Sequence, residues 1–168
     1  MIALTHDLSR VILIGAGATA TLDLWLLLQQ RLKMPTMDFG LLGRWVGHLR
    51  HGRWSHEAIA RAAPVPGEQA LGWLTHYAVG SGFAGVLVAL HGLDWTRRPD
   101  LAAALCTGVV SVLAPWLVLQ PAMGAGIASS RTRTPLKNAA RSLVNHTVFG
   151  AGLYLAALAV LALPGIGR

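Results

Sequence analysis

The sequence predicts an all-α integral membrane protein, a four-transmembrane-helix bundle with an amphipathic interfacial helix in the first long loop. Its composition is 54% hydrophobic and only 12% charged, against about 25% charged residues in an ordinary soluble domain. Four apolar runs each approach the roughly 20 residues that a helix needs to cross a bilayer. They lack the polar stripe that a soluble helix shows at every turn. The runs are Val11–Leu28, Ala70–Leu90, Leu101–Leu119 and Leu143–Leu163.

The 168 residues fit a single membrane domain, with spans at about 11–30, 69–90, 100–120 and 142–163. We expect the first span to be retained, because the MIALTHDLSR leader lacks the basic region of a signal peptide. The GAGATA stretch at Gly15–Ala20 matches a dinucleotide-binding fingerprint, but that fingerprint requires a preceding strand. Its glycines are better explained as close helix-packing points. Cys106 is the single cysteine, which excludes an internal disulfide.

The basic residues are distributed unequally between the loops. Ten of the fourteen Lys and Arg lie in the two long loops, six between the first and second spans and four between the third and fourth. The positive-inside rule therefore predicts that both long loops are cytoplasmic and that both termini are periplasmic. We expect the net charge of +7 to set topology and to contact lipid headgroups. No module that reads nucleic acid is present.

The first long loop, residues 38–63, contains a predicted helix that lies in the membrane interface. Asp38 is placed to cap a helix from Phe39 to about His51. One face of this helix is apolar, as expected of an interfacial helix, and its members are Phe39, Leu42, Val46 and Leu49. Three basic side chains fall away from that face: Arg44, His48 and His51. Trp45 and Trp54 suit the depth of the headgroups.

A second short helix is predicted in the same loop, from His56 to Ala63, with Ser55 as its cap and Pro64 as its end. The stretch HLRHGRWSHE contains three histidines but no metal-ligand spacing. Each loop histidine is therefore predicted to be exposed or interfacial. His56 and Glu57 are the best exceptions, because they adjoin the turn that leads to the second span.

Three ionisable residues lie inside the predicted spans: Asp23, His76 and His146. Such residues are costly in a membrane, usually face the bundle interior and are candidates for function. Counted from the cytoplasmic end of each span, their depths agree to roughly one helical turn. Each also lies in a row of residues spaced four apart that contains small residues, which mark the faces where membrane helices approach closely. We therefore expect the three side chains to meet in a polar core.

Two interpretations of this polar core are open. It is either a structural hydrogen-bonded cluster, because buried polar groups need partners, or a working site open to the cytoplasmic face. Two histidines and a carboxylate suit a transition metal and equally suit proton transfer, and the sequence identifies no cofactor. We expect further binding residues near the mouth of the core: His56, Glu57, Glu68, Gln120, Arg131 and Arg133.

Five stretches of distinctive sequence are distributed over nearly the whole chain. They are GATATLDLW, GLLGRWVGH, HEAIARAAPVPGEQALGWLTHY, APWLVLQPAMGAGIASSRT and NHTVFGAGLYL. Together they resemble a family of small bacterial inner-membrane proteins with four spans, a domain of unknown function. The resemblance implies a bacterial inner-membrane location, and it implies no reaction, ligand or catalytic residue.

Three classes of function are open for such a protein. The first is a membrane enzyme or ligand-binding protein that takes a lipid-soluble or anionic substrate between the polar core and the SSRTRT loop. The second is a proton-coupled or solute transporter, which would be a homo-oligomer since four short spans enclose little volume. The third is an accessory subunit that holds a membrane partner protein through its small-residue faces. Membrane lipids are expected partners in each case, and nucleic acid is not.

Overall fold

The structure is a computed structural model that describes residues 2–163, with side chains from His6 onward. Every regular element between Ile2 and Leu163 is helical. The α-helices are α1 (Ile2–Arg31), α2 (Phe39–Leu49), α3 (Glu68–His91), α4 (Leu101–Ser111), α5 (Gln120–Ala122) and α6 (Pro135–Leu161). Short 3-10 turns lie at Ile59–Arg61, Leu93–Thr96 and Ile127–Ser129, and a π-helical turn lies at Pro115–Leu119.

Four of the helical stretches are long and apolar enough to cross a membrane. They are His6–Arg31, Glu68–His91, Leu101–Ala122 and Pro135–Leu161. The predicted all-α class with four membrane-capable helices is therefore confirmed. The third stretch widens from an α-helix into the π-helical turn at Pro115, because proline removes one N–H from the helical hydrogen-bond ladder.

The chain divides into two compact units, and the first is a helical bundle. This bundle unit comprises the residues up to Met34, Tyr77–Val110 and the residues from Asn145 onward. It contains α1, nearly all of α4 and the larger parts of α3 and α6 around one apolar core. The largest fully buried apolar side chains of that core are Ile14, Leu87 and Leu153.

Small residues allow the helices of the bundle unit to approach closely. Gly15 of α1 lies against Ser81 of α3, and Gly108 of α4 lies against Gly150 of α6. A Cβ atom at Gly15 or Gly108 would overlap backbone atoms of the neighbouring helix. These are the close contacts that small residues permit between membrane helices, so the packing role predicted for the α1 glycines is confirmed.

The second unit, the loop unit, comprises Pro35–His76 and Ser111–Val144. Within it, α2 packs on the first turns of α3. Gly43 of α2 faces the start of α3, Gly72 faces α2, and a Cβ at either glycine would overlap backbone atoms of the other helix. Backbone contact without intervening side chains therefore fixes where α2 lies on α3.

The amphipathic helix α2 begins as the sequence predicts. The Asp38 carboxylate accepts a hydrogen bond from the Gly40 N–H at 2.8 Å, which satisfies one of the unpaired donors of the first turn. The helix ends at Leu49, two residues before the predicted end at His51. Beyond it the chain turns through Gly52, which has a positive φ of 72° that glycine adopts without strain.

The predicted second helix of this loop, His56–Ala63, is wrong. The segment is irregular apart from the 3-10 turn Ile59–Arg61, and Ser55 caps no helix. Two backbone donors of this segment bond to another part of the loop unit, and one of them, the Ile59 N–H, is a donor that the predicted helix would use internally. The His56 N–H donates to the Ala122 carbonyl at 2.8 Å, and the Ile59 N–H donates to the Met123 carbonyl at 3.1 Å.

Candidate functional site

A pair of histidine rings lies at the centre of the loop unit. His48, on α2, is buried, with 6% of its surface exposed. Its Nδ1 lies 2.7 Å from Nε2 of His56, and its Nε2 lies 3.0 Å from the carbonyl oxygen of Ala63. The two ring centroids are 4.9 Å apart. The two short distances show that His48, His56 and the Ala63 carbonyl form a hydrogen-bonded chain.

The hydrogen positions in this chain follow from its last acceptor. A carbonyl oxygen only accepts, so His48 Nε2 donates to Ala63, and a neutral His48 must then accept at Nδ1. With both rings neutral, the donor to that nitrogen is His56 Nε2. The other ring nitrogen, His56 Nδ1, therefore carries a lone pair. It is buried and has no hydrogen-bond partner among the described residues.

The surroundings of the His56 ring favour its neutral form. Burial lowers the pKa of His56 below 6.5, and the nearby His48 ring and Arg53 guanidinium lower it further. The Ala122 carbonyl opposes this effect by favouring the protonated ring. A neutral imidazole in this position is a base that can accept a proton or a hydrogen bond at Nδ1.

An arginine and a glutamate hold the segments around the histidine pair. Arg44 donates to both carboxylate oxygens of Glu68, from Nε at 2.9 Å and from Nη2 at 2.7 Å. Its Nη1 donates to the carbonyls of Ala60 and Ala62, each at 3.2 Å. The hydrogen bond to Glu68 raises the pKa of Arg44. This bidentate pair ties α2 to the start of α3 and to the segment before Ala63.

The segment that follows α5 packs against His56 and Glu57. Gly124 has a positive φ of 95° and lies directly against the Glu57 carbonyl. Ala128 and Ser129 also have positive φ, at 47° and 64°, a conformation that costs non-glycine residues roughly 1 kcal/mol or more each. Ser129 begins the SSRTRT stretch, and Ala128 directly precedes it. The loop unit therefore contains residues of both long loops.

Three of the predicted binding residues are engaged within the loop unit, and the first of them, His56, bonds to His48. Glu68 pairs with Arg44, as described, and Gln120 accepts a hydrogen bond from the Ser129 hydroxyl at 3.1 Å. The other three side chains, Glu57, Arg131 and Arg133, are exposed, whereas His56 is half-buried. All six predicted binding residues lie in this one unit.

In the bundle unit, the intramembrane carboxylate of Asp23 accepts a hydrogen bond from the Tyr77 hydroxyl at 2.8 Å. Sequence reasoning missed Tyr77, because a lone tyrosine in an apolar run is indistinguishable from a packing residue. His146, also in the bundle unit, is half-buried on α6. Its backbone carbonyl lies beside Gly108 of α4.

His76 belongs to the loop unit, where it packs among aromatic rings. Its ring centroid lies 4.4 Å from that of Phe39 and 5.9 Å from that of Trp73. Throughout residues 2–163, no group of three or more His, Cys, Asp or Glu side chains is placed so that it could hold a metal ion. The convergence of Asp23, His76 and His146 stays a prediction.

A second polar cluster of the bundle unit was also missed. Asn145 accepts hydrogen bonds from Trp25 Nε1 at 2.9 Å and from Gln29 Nε2 at 2.6 Å. Gln29 is only 1% exposed. The signal was available, because Trp25 and Gln29 are four residues apart and therefore share one face of α1.

Two basic side chains of α2 are placed differently from the prediction. Arg44 and His48 were expected to project away from the apolar face of the helix and so to be exposed or interfacial, but the structure buries most of both. The side of α2 that packs on the protein carries Gly40, Gly43 and Gly47. Glycine spacing is the signal that could have shown this, because small residues mark close helix contacts. His51, in contrast, is exposed as predicted.

The fold and the site together define the class of protein to which the chain belongs. The chain is an all-α membrane protein with four helices able to span a bilayer and a loop unit that holds a hydrogen-bonded histidine pair. It belongs to the family described as "Protein of unknown function (DUF2938)", whose model matches residues 12–160. The expected relation to a family of unknown function is confirmed. Comparison with curated proteins and with solved structures finds no match.

Proposed function

We propose that the protein binds a lipid-soluble or anionic ligand in the loop unit, with His56 as the group that accepts a proton or a hydrogen bond from it. It then acts as a membrane enzyme or as a ligand-binding protein. The observation that carries this proposal is the buried Nδ1 atom of His56, which no described residue contacts by a hydrogen bond. A buried acceptor without a donor costs about 1–3 kcal/mol, and a ligand that brings an O–H or N–H group removes that cost.

The arrangement around His56 has the parts that proton transfer requires. A catalytic base needs a free lone pair, a pKa that favours its unprotonated form at the working pH and a second group that fixes its orientation. His48 fixes the ring of His56, and the Ala63 carbonyl fixes His48. The lowered pKa of His56 keeps the base unprotonated at neutral pH.

The substitution His56→Gln tests the proposal with little structural change. The glutamine Nε2 can still donate to His48, but glutamine has no basic nitrogen in the place of Nδ1. The wild-type protein and the variant are purified in nanodiscs, and the small molecules that they retain are extracted and identified by mass spectrometry. We expect the wild type to retain a compound with an acidic O–H or N–H group and His56→Gln to lose most of it.

His51→Gln is the matched control, because His51 lies in the same stretch and is exposed. It should retain the compound at the wild-type level. Equal small-molecule content in wild type and His56→Gln would refute ligand binding at this histidine. NMR of ¹⁵N-histidine-labelled protein is a second, independent test. A protonated Nδ1 on His56 above pH 8 would refute its assignment as the base.

We further propose a bacterial inner-membrane location with both termini in the periplasm. The proposal is supported by the family resemblance and by the ten basic residues of the two long loops, which favour the cytoplasmic side. A periplasm-specific reporter, such as alkaline phosphatase, fused after Arg168 should be active. An inactive fusion together with an active cytoplasmic reporter at the same position would reverse the topology.

Proton-coupled transport is the second candidate, and one observation favours it. Asp23 is an ionisable group within a membrane-capable helix, held by the Tyr77 hydroxyl, and such residues often belong to proton or ion pathways. In proteoliposomes with a pH-sensitive dye, a proton flux that Asp23→Asn abolishes would support this function. A wild-type protein that moves no protons under an imposed potential would exclude it.

A further inference from the structure

The second long loop and the start of α6 carry positive charge without any acidic counterpart. After Asp100 the sequence contains no Asp or Glu at all. Four basic residues follow one another within eleven positions: Arg131, Arg133, Lys137 and Arg141. Arg131, Arg133 and Lys137 are exposed, and within residues 2–163 none of the three forms an ion pair.

The helix geometry adds to this imbalance. α6 begins at Pro135 and has no acidic residue in its first turn, although the positive end of a helix dipole favours anions. The cations instead stand at and just before that end, where they repel both one another and the dipole. An anion from outside the chain would relieve this repulsion.

The basic loop is ordered by its own hydrogen bonds. The Arg131 N–H donates to the Ala125 carbonyl at 2.9 Å. Thr132 Oγ1 donates to the Ser129 carbonyl at 2.7 Å and accepts from Asn138 Nδ2 at 2.9 Å. The arginines are therefore presented from a fixed backbone, which lowers the entropy lost when they bind a partner.

Exposed apolar side chains occur in the same segment as the basic residues. Leu136, in the first turn of α6, is 86% exposed, and Ile127 is 60% exposed. The segment thus offers guanidinium groups for phosphate and large apolar side chains for hydrocarbon. α6 itself is long and apolar enough to span a bilayer, and the first turns of a helix that spans a bilayer lie near the headgroups.

We propose that this surface, residues 127–141, binds an anionic phospholipid. Arg131, Arg133 and Lys137 contact the headgroup phosphate, and Ile127 and Leu136 contact the acyl chains. The apolar side chains and the membrane-capable helix are the reason to assign a lipid rather than a free phosphate. This site is separate from the proposed role of His56 and does not depend on it.

The test compares lipid binding by the full chain and by the variant Arg131→Gln/Arg133→Gln. Native mass spectrometry in detergent measures retained phosphatidylglycerol against phosphatidylcholine of the same chain length. The wild type should prefer phosphatidylglycerol, and the variant should lose about tenfold or more of that affinity, since each cation near an anionic lipid surface contributes appreciably. High salt should weaken the wild-type preference.

Arg50→Gln/Arg61→Gln is the matched control, because it removes the same charge from exposed residues of the same unit. It should keep the wild-type preference. Equal losses in both double variants would show a diffuse charge effect and overturn the site, as would a wild type without any headgroup preference. Full displacement of the lipid by an equal concentration of inorganic phosphate would overturn the assignment to lipid.

Discussion

The pair formed by Arg44 and Glu68 should stabilise the loop unit measurably, and the substitution Arg44→Met tests this. Methionine keeps the length of the side chain but removes every hydrogen bond. The two charge-assisted bonds to the carboxylate, at 2.7 and 2.9 Å, and two bonds to loop carbonyls are lost. The side chains are 13% and 22% exposed, so the pair is mostly but not fully removed from solvent.

The stability lost in Arg44→Met should lie between two limits. Exposed pairs contribute about 0–1 kcal/mol, whereas breaking a buried pair costs about 3–5 kcal/mol because the remaining charge is unpaired. Glu68 keeps one donor, the Val65 N–H at 2.9 Å, which reduces the loss. We therefore expect Arg44→Met to lower the free energy of unfolding by about 2–4 kcal/mol.

Unfolding of the detergent-solubilised protein by SDS, followed by circular dichroism, measures this change. Arg61→Met is the control, since Arg61 is exposed in the same loop and should shift stability by no more than about 0.5 kcal/mol. The double variant Arg44→Met/Glu68→Met should be more stable than the sum of the single changes predicts. Additive single changes, or an Arg44→Met protein as stable as the Arg61→Met control, would refute the reasoning.

Three further predictions concern other parts of the molecule. In α3, Gly72→Ala should cost about 1–3 kcal/mol of stability in thermal unfolding, because the added Cβ would overlap the α2 backbone. Gly82→Ala is the control, since a Cβ there would have no atom within 4 Å, and it should be neutral or stabilise by about 0.5–1 kcal/mol. Tyr77→Phe and Asp23→Asn should each destabilise the bundle unit by about 1–3 kcal/mol, and a double-mutant cycle that shows no coupling would contradict their hydrogen bond. The pKa of His56 is lowered in the folded state, so the unfolded chain binds more protons below pH 6.5. Stability should therefore fall with acidification, by at most about 1.4 kcal/mol per pH unit. Denaturant titrations at pH 5–7 measure this dependence, and His56→Gln should flatten it.

The sequence by itself determined the membrane class, the all-α fold and the start of α2. These features are local: a run of apolar residues commits a segment to the bilayer, and Asp38 needs only Gly40, two residues away, to cap its helix. The close packing at Gly15 was also predictable, because glycines in an apolar helix allow a neighbouring helix backbone to approach closely.

The tertiary structure decided which side of α2 is buried and how the histidines pair. In the sequence, Arg44 and His48 look like ordinary basic residues of an interfacial helix. In the structure they donate to the carbonyls of Ala62 and Ala63, which lie about fifteen residues further along the chain. The Ile59 N–H, which the predicted helix would use internally, instead donates to the Met123 carbonyl of the other long loop. Partners so distant in sequence leave no periodic signal, since a buried polar group is specified by the acceptor that folding brings to it rather than by its neighbours in the chain.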